Sequence, residues 1–344
     1  MHLCRQKMST VSFILIGYGH IGKRHARVLE ELSPGSLKAV IDTDSGARDA
    51  FVDNNNILFF SDISLFETAG IAAHVAVIAL PNGIHCEMAC RCIRLGMHVV
   101  IEKPMGLSSR ECAEVIALAD SLSRHVFVVK QNRYSPPALW MKKLISDGTA
   151  GRIYQVHIRC FWNRDDRYYR KGGWRGTREL DGGVLFTQFS HFIDVMYWIF
   201  GDIDRIHARF FNYNHADTTA FPDSGMITFD FVKGGQGSLQ FSTSLWDRNM
   251  ESSMTVIAEK GSFRIGGQYM DQVEYIHIQD YVMPELEESA PPNDYGAYTG
   301  SASNHHYVLR NVLEVLSGKA SVATNGREGM KIVEIIERIY ASGD

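Results

Sequence analysis

The chain has 344 residues, more than one domain of ordinary size needs, and its 45% hydrophobic and 22% charged residues describe a globular protein with a sizeable core. A formal net charge of −4 gives no global attraction to nucleic acid or to an anionic membrane. No run approaches the ~18 continuous apolar residues of a membrane span, and the first ten residues, MHLCRQKMST, are too polar for a signal-peptide core, so a cytoplasmic setting is expected.

The opening stretch organises the rest. A short apolar run, Phe13–Ile16, stops at Gly17, and Gly17-Tyr18-Gly19-His20-Ile21-Gly22 then leads into a segment with helical character. A strand, a tight turn and a helix start in that order hold the pyrophosphate of a dinucleotide. Gly17 permits the turn, Gly19 has no Cβ to keep phosphates away from the backbone, and Gly22 lets helix and strand touch. A second apolar strand, Leu37–Ile41, delivers Asp42 twenty residues beyond Gly22. A carboxylate there accepts from ribose hydroxyls and repels the extra phosphate of NADP; no arginine follows at once to neutralise it, so the cofactor is read as NAD.

Further apolar strands at 57–60, 74–80, 99–102 and 126–130 alternate with helical stretches at 86–95 and 108–123. That alternation specifies an α/β Rossmann domain with a parallel sheet, placed at residues 1–134. Ligands of such sheets lie beyond the carboxyl ends of the strands. The rule selects Pro81-Asn82-Gly83, Glu102-Lys103-Pro104 and Gln131-Asn132-Arg133, in addition to the glycine turn and Asp42.

Beyond a linking helix at 135–147 the pattern changes. Strand-like runs at 152–161, 205–213, 225–232, 237–245 and 254–258 follow one another with turns between them, and one long helix, 184–200, interrupts the series. This describes an α+β second domain, 135–344, with a mostly antiparallel open sheet. Residues 284–303 read as a loop or flap, and two last helices, 304–316 and 327–340, are free to pack back on the first domain.

Two side chains stand out as candidate acid–base groups. Lys103 follows a buried strand, and His191 lies on the long helix, where Thr187, Gln188, His191 and Asp194 recur at helical spacing as a polar stripe on an apolar background. Between residues 159 and 178 there are seven basic residues (Arg159, Arg164, Arg167, Arg170, Lys171, Arg175, Arg178) against Asp165 and Asp166, interleaved with Trp162, Tyr168, Tyr169 and Trp174. Arginines beside flat rings suit an anionic small substrate carrying carboxylate or phosphate. The six cysteines lack a zinc-ligand spacing and are read as reduced thiols, with no metal expected. His305 and His306 are read as structural.

With GYGHIG at 17–22, PNGIH at 81–85, EKP at 102–104 and the histidine helix at 182–194, the sequence resembles the Gfo/Idh/MocA family of nicotinamide oxidoreductases. Within it, KQNRYSP at 130–136, the Tyr168-Tyr169 pair, WRGT at 174–177, DGG at 181–183 and TQFSHFID at 187–194 resemble the WlbA-type dehydrogenases, which oxidise the 3-hydroxyl of a UDP-linked N-acetylaminouronic acid with NAD on the way to surface polysaccharide. The resemblance implies Lys103 and His191 as catalytic residues, one of them the base. It implies a cofactor site that includes Pro81, Asn82, His85, Glu102, Lys103 and Gln131, and a substrate site of Arg133, Tyr134, Arg164, Tyr168, Tyr169, Arg175, Thr187, Gln188 and His191. It also implies a homotetramer built through the open sheets. One position departs: the family generally has an acid or amide four residues before the histidine, and here that residue is Thr187. Two alternatives stay open, a dehydrogenase of a free polyol or simple sugar and a dinucleotide-binding regulator without catalysis.

Overall fold

The computed structural model describes residues 11–51, 56–169, 172–294 and 299–343. Its first layer is built around β1 (Phe13–Ile16), four apolar residues buried on both faces. In chain order follow α1 (His20–Leu32), β2 (Leu37–Ile41), α2 (Ser45–Arg48), β3 (Leu58–Phe60), α3 (Ile63–Thr68), β4 (Val75–Ile78), α4 (His85–Arg94), β5 (His98–Ile101), α5 (Ser109–Ser121) and β6 (Val126–Val128). The six strands form one sheet in the order β3-β2-β1-β4-β5-β6, every pairing parallel. The order reverses between β1 and β4, which opens a crevice at their carboxyl ends. There Ile16 pairs with Ile78, and the Ala79 amide closes on the Ile16 carbonyl at 2.8 Å. The chains part so tightly that a Cβ on Gly17, at φ +93°, would lie 2.3 Å from the Ala79 carbonyl oxygen.

A 3-10 turn at Gln131–Tyr134 and α6 (Pro136–Ser146) lead into β7 (Ile153–Phe161), followed by α7 (Val184–Thr187) and α8 (Ser190–Phe200). Six more strands follow, β8 (Ile203–Phe211), β9 (Ser224–Phe231), β10 (Gln236–Ser242), β11 (Glu251–Ala258), β12 (Gly261–Gly266) and β13 (Gln272–Ile278). They form a mixed, mostly antiparallel sheet ordered β13-β12-β11-β7-β10-β9-β8, in which β7 and β10 alone run parallel. Alternation sorts its faces: Val156, Ile158, Cys160, Leu239 and Phe241 enter the core, while Gln155, Arg159 and Thr228 are solvent-exposed.

Three stretches differ from the sequence reading. The strands β12 and β13 were not anticipated, because GSFRIG is bracketed by glycines and QVEYIHI is largely polar at the sheet edge. The flap contains a hairpin, β14 (Pro292–Asp294) and β15 (Thr299–Ala302). The long helix is broken into α7 and α8 at Gln188 and Phe189, where the Phe189 amide reaches back to Val184 and the Thr187 carbonyl turns to Lys103 Nζ at 2.7 Å. The chain ends with α9 (His305–Leu316), against α1, and α10 (Gly326–Ala341), against α5 and β6.

A buried ion network joins the halves. Arg133 grips Asp194 of α8 with two hydrogen bonds of 2.8 and 2.7 Å and reaches Glu328 of α10 at 2.8 Å, and Lys130 Nζ lies 3.3 Å from the same Asp194. Arg133, expected at the substrate, is therefore a fully engaged structural cation. Asp194→Ala would leave Lys130 and Arg133 facing each other without their shared anion, so urea unfolding should show a loss of about 3–5 kcal/mol. A loss below ~1 kcal/mol would mean that the network is not under the strain of an unpaired buried charge.

Candidate active site

The crevice at the strand ends has a volume of about 470 Å³ and is bounded by both domains. On the first-domain side, α1 starts at the glycine turn with no acidic residue in its first turn and no side-chain cap. Its first amides are thus available to an anion. A Cβ on Gly19 would meet nothing within 4 Å, so the turn opens on the crevice, whereas a Cβ on Gly22 would lie 2.0 Å from the Gly17 carbonyl oxygen. Asp42 also faces the crevice, its carboxylate fixed by the Tyr18 amide and by the Asp44 amide at 2.7 Å. These features fit NAD: the amides of α1 would hold its pyrophosphate and Asp42 the adenosine ribose. His20, at the same turn, has its pKa lowered by burial and by the charges of Arg175 and Lys23, and it lines the crevice together with Arg175 of the second domain.

The loops after β4 and β5 are tied together by His85, whose two ring nitrogens each lie 2.8 Å from a carbonyl, that of Pro104 and that of Leu80. Asn82 joins the domains by donating to the Asp181 carbonyl at 2.9 Å and to Thr187 Oγ1 at 2.7 Å. Glu102 is buried against His25, whose Nε2–H donates at 2.7 Å, and it accepts the Lys103 amide at 3.1 Å. Burial opposes ionisation of Glu102, but the His25 hydrogen bond and the surrounding positive charges prevail and hold its pKa at about 2.

Lys103 and His191 line this one crevice. Burial lowers the Lys103 pKa to about 8, and the anionic charges of Glu102 and Asp181 keep it from falling further. His191 is pushed well below the usual imidazole range by burial and by the charges of Lys103 and Lys130, so it stands neutral; Gln131 Nε2 lies 3.5 Å from its Nε2.

The second-domain wall is cationic and aromatic. The Arg164 guanidinium lies 4.7 Å from the Trp162 ring centre and 5.2 Å from that of Tyr168, and Arg175 lies 4.4 Å from Tyr168 and 5.0 Å from Trp174. All five line the crevice. The rest of the basic stretch does not: Arg159 points outward from β7, Arg167 pairs with Asp165, and Arg178 donates to the Ala220 carbonyl. Arg170 and Lys171 lie outside the described residues.

Of the other expected site residues, Gly17, Ile21, Pro81, Thr187 and Gln188 also border the crevice. Three expected substrate contacts do not. Arg133 is spent on Asp194 and Glu328, Tyr134 stacks on Tyr307 at 5.1 Å, and Tyr169 is buried against His215 and Phe221. Gly22 and Tyr18 act behind the lining, Gly22 at the helix–strand contact and Tyr18 edge-on to Phe51 at 4.7 Å. Sequence reasoning missed Thr43, Leu80 with its neighbour Ala79, Asn293 and Gly300. The first two adjoin residues already selected by the strand-end rule, while Asn293 and Gly300 arrive on the hairpin, whose sequence carries only turn signals.

Residues 11–130 match the oxidoreductase family with an NAD-binding Rossmann fold, and residues 139–264 match the GFO/IDH/MocA C-terminal domain. The chain belongs to the Gfo/Idh/MocA family and is an NAD-binding oxidoreductase. Its structure is similar to the WlbA dehydrogenase of Chromobacterium violaceum, solved with NADH and UDP-GlcNAcA, at 28% identity and a TM-score of 0.85, covering 97% of this chain and 93% of that one. It is similar at 28% identity and a TM-score of 0.83 to the Bordetella pertussis WlbA dehydrogenase, crystallised with the same two molecules, covering 97% of this chain and 96% of that one. By sequence it is 30% identical over 205 residues to the scyllo-inositol 2-dehydrogenase (NADP(+)) IolW of Bacillus subtilis, a match spanning 57% of this chain and 54% of that protein.

Loss of the Asp42 carboxylate removes charge-assisted hydrogen bonds worth about 1.5–3 kcal/mol. In Asp42→Ser, calorimetric titration should show NAD binding about 10- to 100-fold more weakly and NADP gaining relative to it. Unchanged discrimination between the two would contradict the role given to Asp42.

Proposed function

We propose that this enzyme oxidises the 3-hydroxyl of a UDP-linked N-acetylaminouronic acid to the 3-keto sugar with NAD, in the making of surface polysaccharide sugars. The observation that carries the reading is the sharing of one crevice by Lys103 and His191 with two arginines, Arg164 and Arg175, each set against aromatic rings. A nucleotide-linked uronic acid presents a diphosphate, a carboxylate and flat faces to such a wall, whereas a free polyol has no charge to match it. The likeness to two WlbA dehydrogenases solved with UDP-GlcNAcA supports the same substrate class. Met226 and Ile257, apolar and exposed on the outer face of the second sheet, support assembly as a homotetramer through that face, and light scattering should return the mass of four chains.

Bound between the glycine turn and Asp42, NAD would supply the acceptor for the hydride on the carbon that carries the hydroxyl. The hydroxyl proton goes to Lys103 Nζ in its neutral form. A base is effective when its pKa lies near the working pH, which a value of about 8 satisfies. The strongly depressed pKa of His191 makes it a poor proton acceptor, so its neutral ring orients the hydroxyl by a hydrogen bond. Arg164 and Arg175 hold the anionic groups, and the aromatic rings exclude water from their other sides.

Because the reactive form of Lys103 is the deprotonated one, kcat/KM should rise with pH and level off above about 8. Lys103→Met should lower kcat by about 10²- to 10⁴-fold. The 3-keto product should form on incubation with NAD and UDP-N-acetylglucosaminuronic acid, and Arg175→Gln should raise KM by about tenfold or more with little change in kcat. Turnover of a neutral polyol that is indifferent to Arg175→Gln would support the other substrate class.

A further inference from the structure

Thr187 occupies a crevice position from which Lys103 is held, yet its side chain carries no charge. Its hydroxyl lies between two partners of fixed polarity. Asn82 Nδ2 can only donate to it, at 2.7 Å, and the carboxylate of Asp181 receives its proton. The other Asp181 oxygen accepts the Gly176 amide at 2.8 Å, and the Asp181 backbone carbonyl accepts from Asn82 at 2.9 Å. Both carboxylate oxygens therefore meet donors, the arrangement that suits the anion. Burial raises the pKa of Asp181, while hydrogen bonds from Thr187, Gly176 and Gly183 and the charge of Arg175 oppose that rise.

We infer that Asp181, behind the crevice wall, is the positioning residue of the base: through the Thr187 hydroxyl it fixes the carbonyl that grips Lys103 and contributes the negative charge that Thr187 lacks. Gly176 directly follows Arg175, so the same carboxylate also anchors the turn that presents the cationic wall. One buried acid thereby sets the spacing between the proton acceptor and the anion-binding group.

The charged groups that act on Lys103 come from several elements. Glu102 beside it and Asp181 before α7 are the anions, Lys130 after β6 and Arg164 after β7 are cations, and His191 on α8 is neutral. Glu102 is already engaged by His25 and by the Lys103 amide. Removing the charge of Asp181 leaves two cations against one carboxylate, which favours loss of the ammonium proton.

The inference rests on Lys103 being the base, but its test needs no substrate. With lysine labelled at Cε by carbon-13, the Lys103 resonance is assigned by its absence in Lys103→Met and followed against pH. In Asp181→Asn its midpoint should fall by about one pH unit, a tenfold rise in the acid dissociation constant. In Thr187→Val, which keeps the carboxylate but cuts the link, the midpoint should move in the same direction by less, and this variant decides the matter if the first does not fold. Midpoints in the soluble variants within ~0.2 units of the unaltered protein would overturn the role of Asp181. A full shift without turnover of the UDP-sugar acid would retain that role and reject the substrate.

Discussion

The burial of a lysine ammonium at the seam between two domains is the constraint on which the rest depends. Lys103 leaves the first sheet at the end of β5 and finds its hydrogen-bond acceptor, the Thr187 carbonyl, in the second domain. Desolvation brings its pKa down to about 8, and only a closed crevice can supply that desolvation. Direct contacts tie the seam together. Asn82 crosses it to Asp181 and Thr187, the Gly83 amide crosses it to the Leu180 carbonyl at 3.1 Å, and a Cβ on Gly83 would lie only 1.9 Å from the Glu179 carbonyl oxygen.

The helix break at Gln188 and Phe189 serves the same geometry. An unbroken helix would bury the Thr187 carbonyl in its own ladder, whereas the break turns it toward Lys103 and leaves His191 on the next helix, facing the same space. One turn further on, Asp194 holds Lys130 and Arg133, and Arg133 in turn holds Glu328 of the last helix. A stripe that looks uniform in sequence thus divides between the crevice lining at Gln188 and His191 and the buried ion network at Asp194.

How much of this could be read from the residues follows from how local each signal is. The glycine turn, Asp42 and the strand-end loops are short-range patterns, and the chain forms the parallel sheet they describe, in the order β3-β2-β1-β4-β5-β6. Lys103, His191, Arg164 and Arg175 were legible as chemically costly residues next to buried elements. Arg133 and Tyr169 looked the same by that criterion, but their partners, Asp194 with Glu328 and His215 with Phe221, lie tens of residues away. Asp181 entered the sequence reading only within the DGG motif and without a role, for the converse reason: an acid beside two glycines suggests a turn, and its contacts to Thr187, Asn82 and Gly176 appear only in the fold. The hairpin carrying Asn293 and Gly300 has too few apolar residues to announce a strand.

A crystal structure with NAD and UDP-N-acetylglucosaminuronic acid tests the account most directly. It should place the 3-hydroxyl of the sugar about 3 Å from Lys103 Nζ, within hydrogen-bond reach, with His191 beside it and the carboxylate or diphosphate on Arg164 and Arg175. A sugar whose anionic groups avoid both arginines, or whose 3-hydroxyl is out of reach of Lys103, would contradict it.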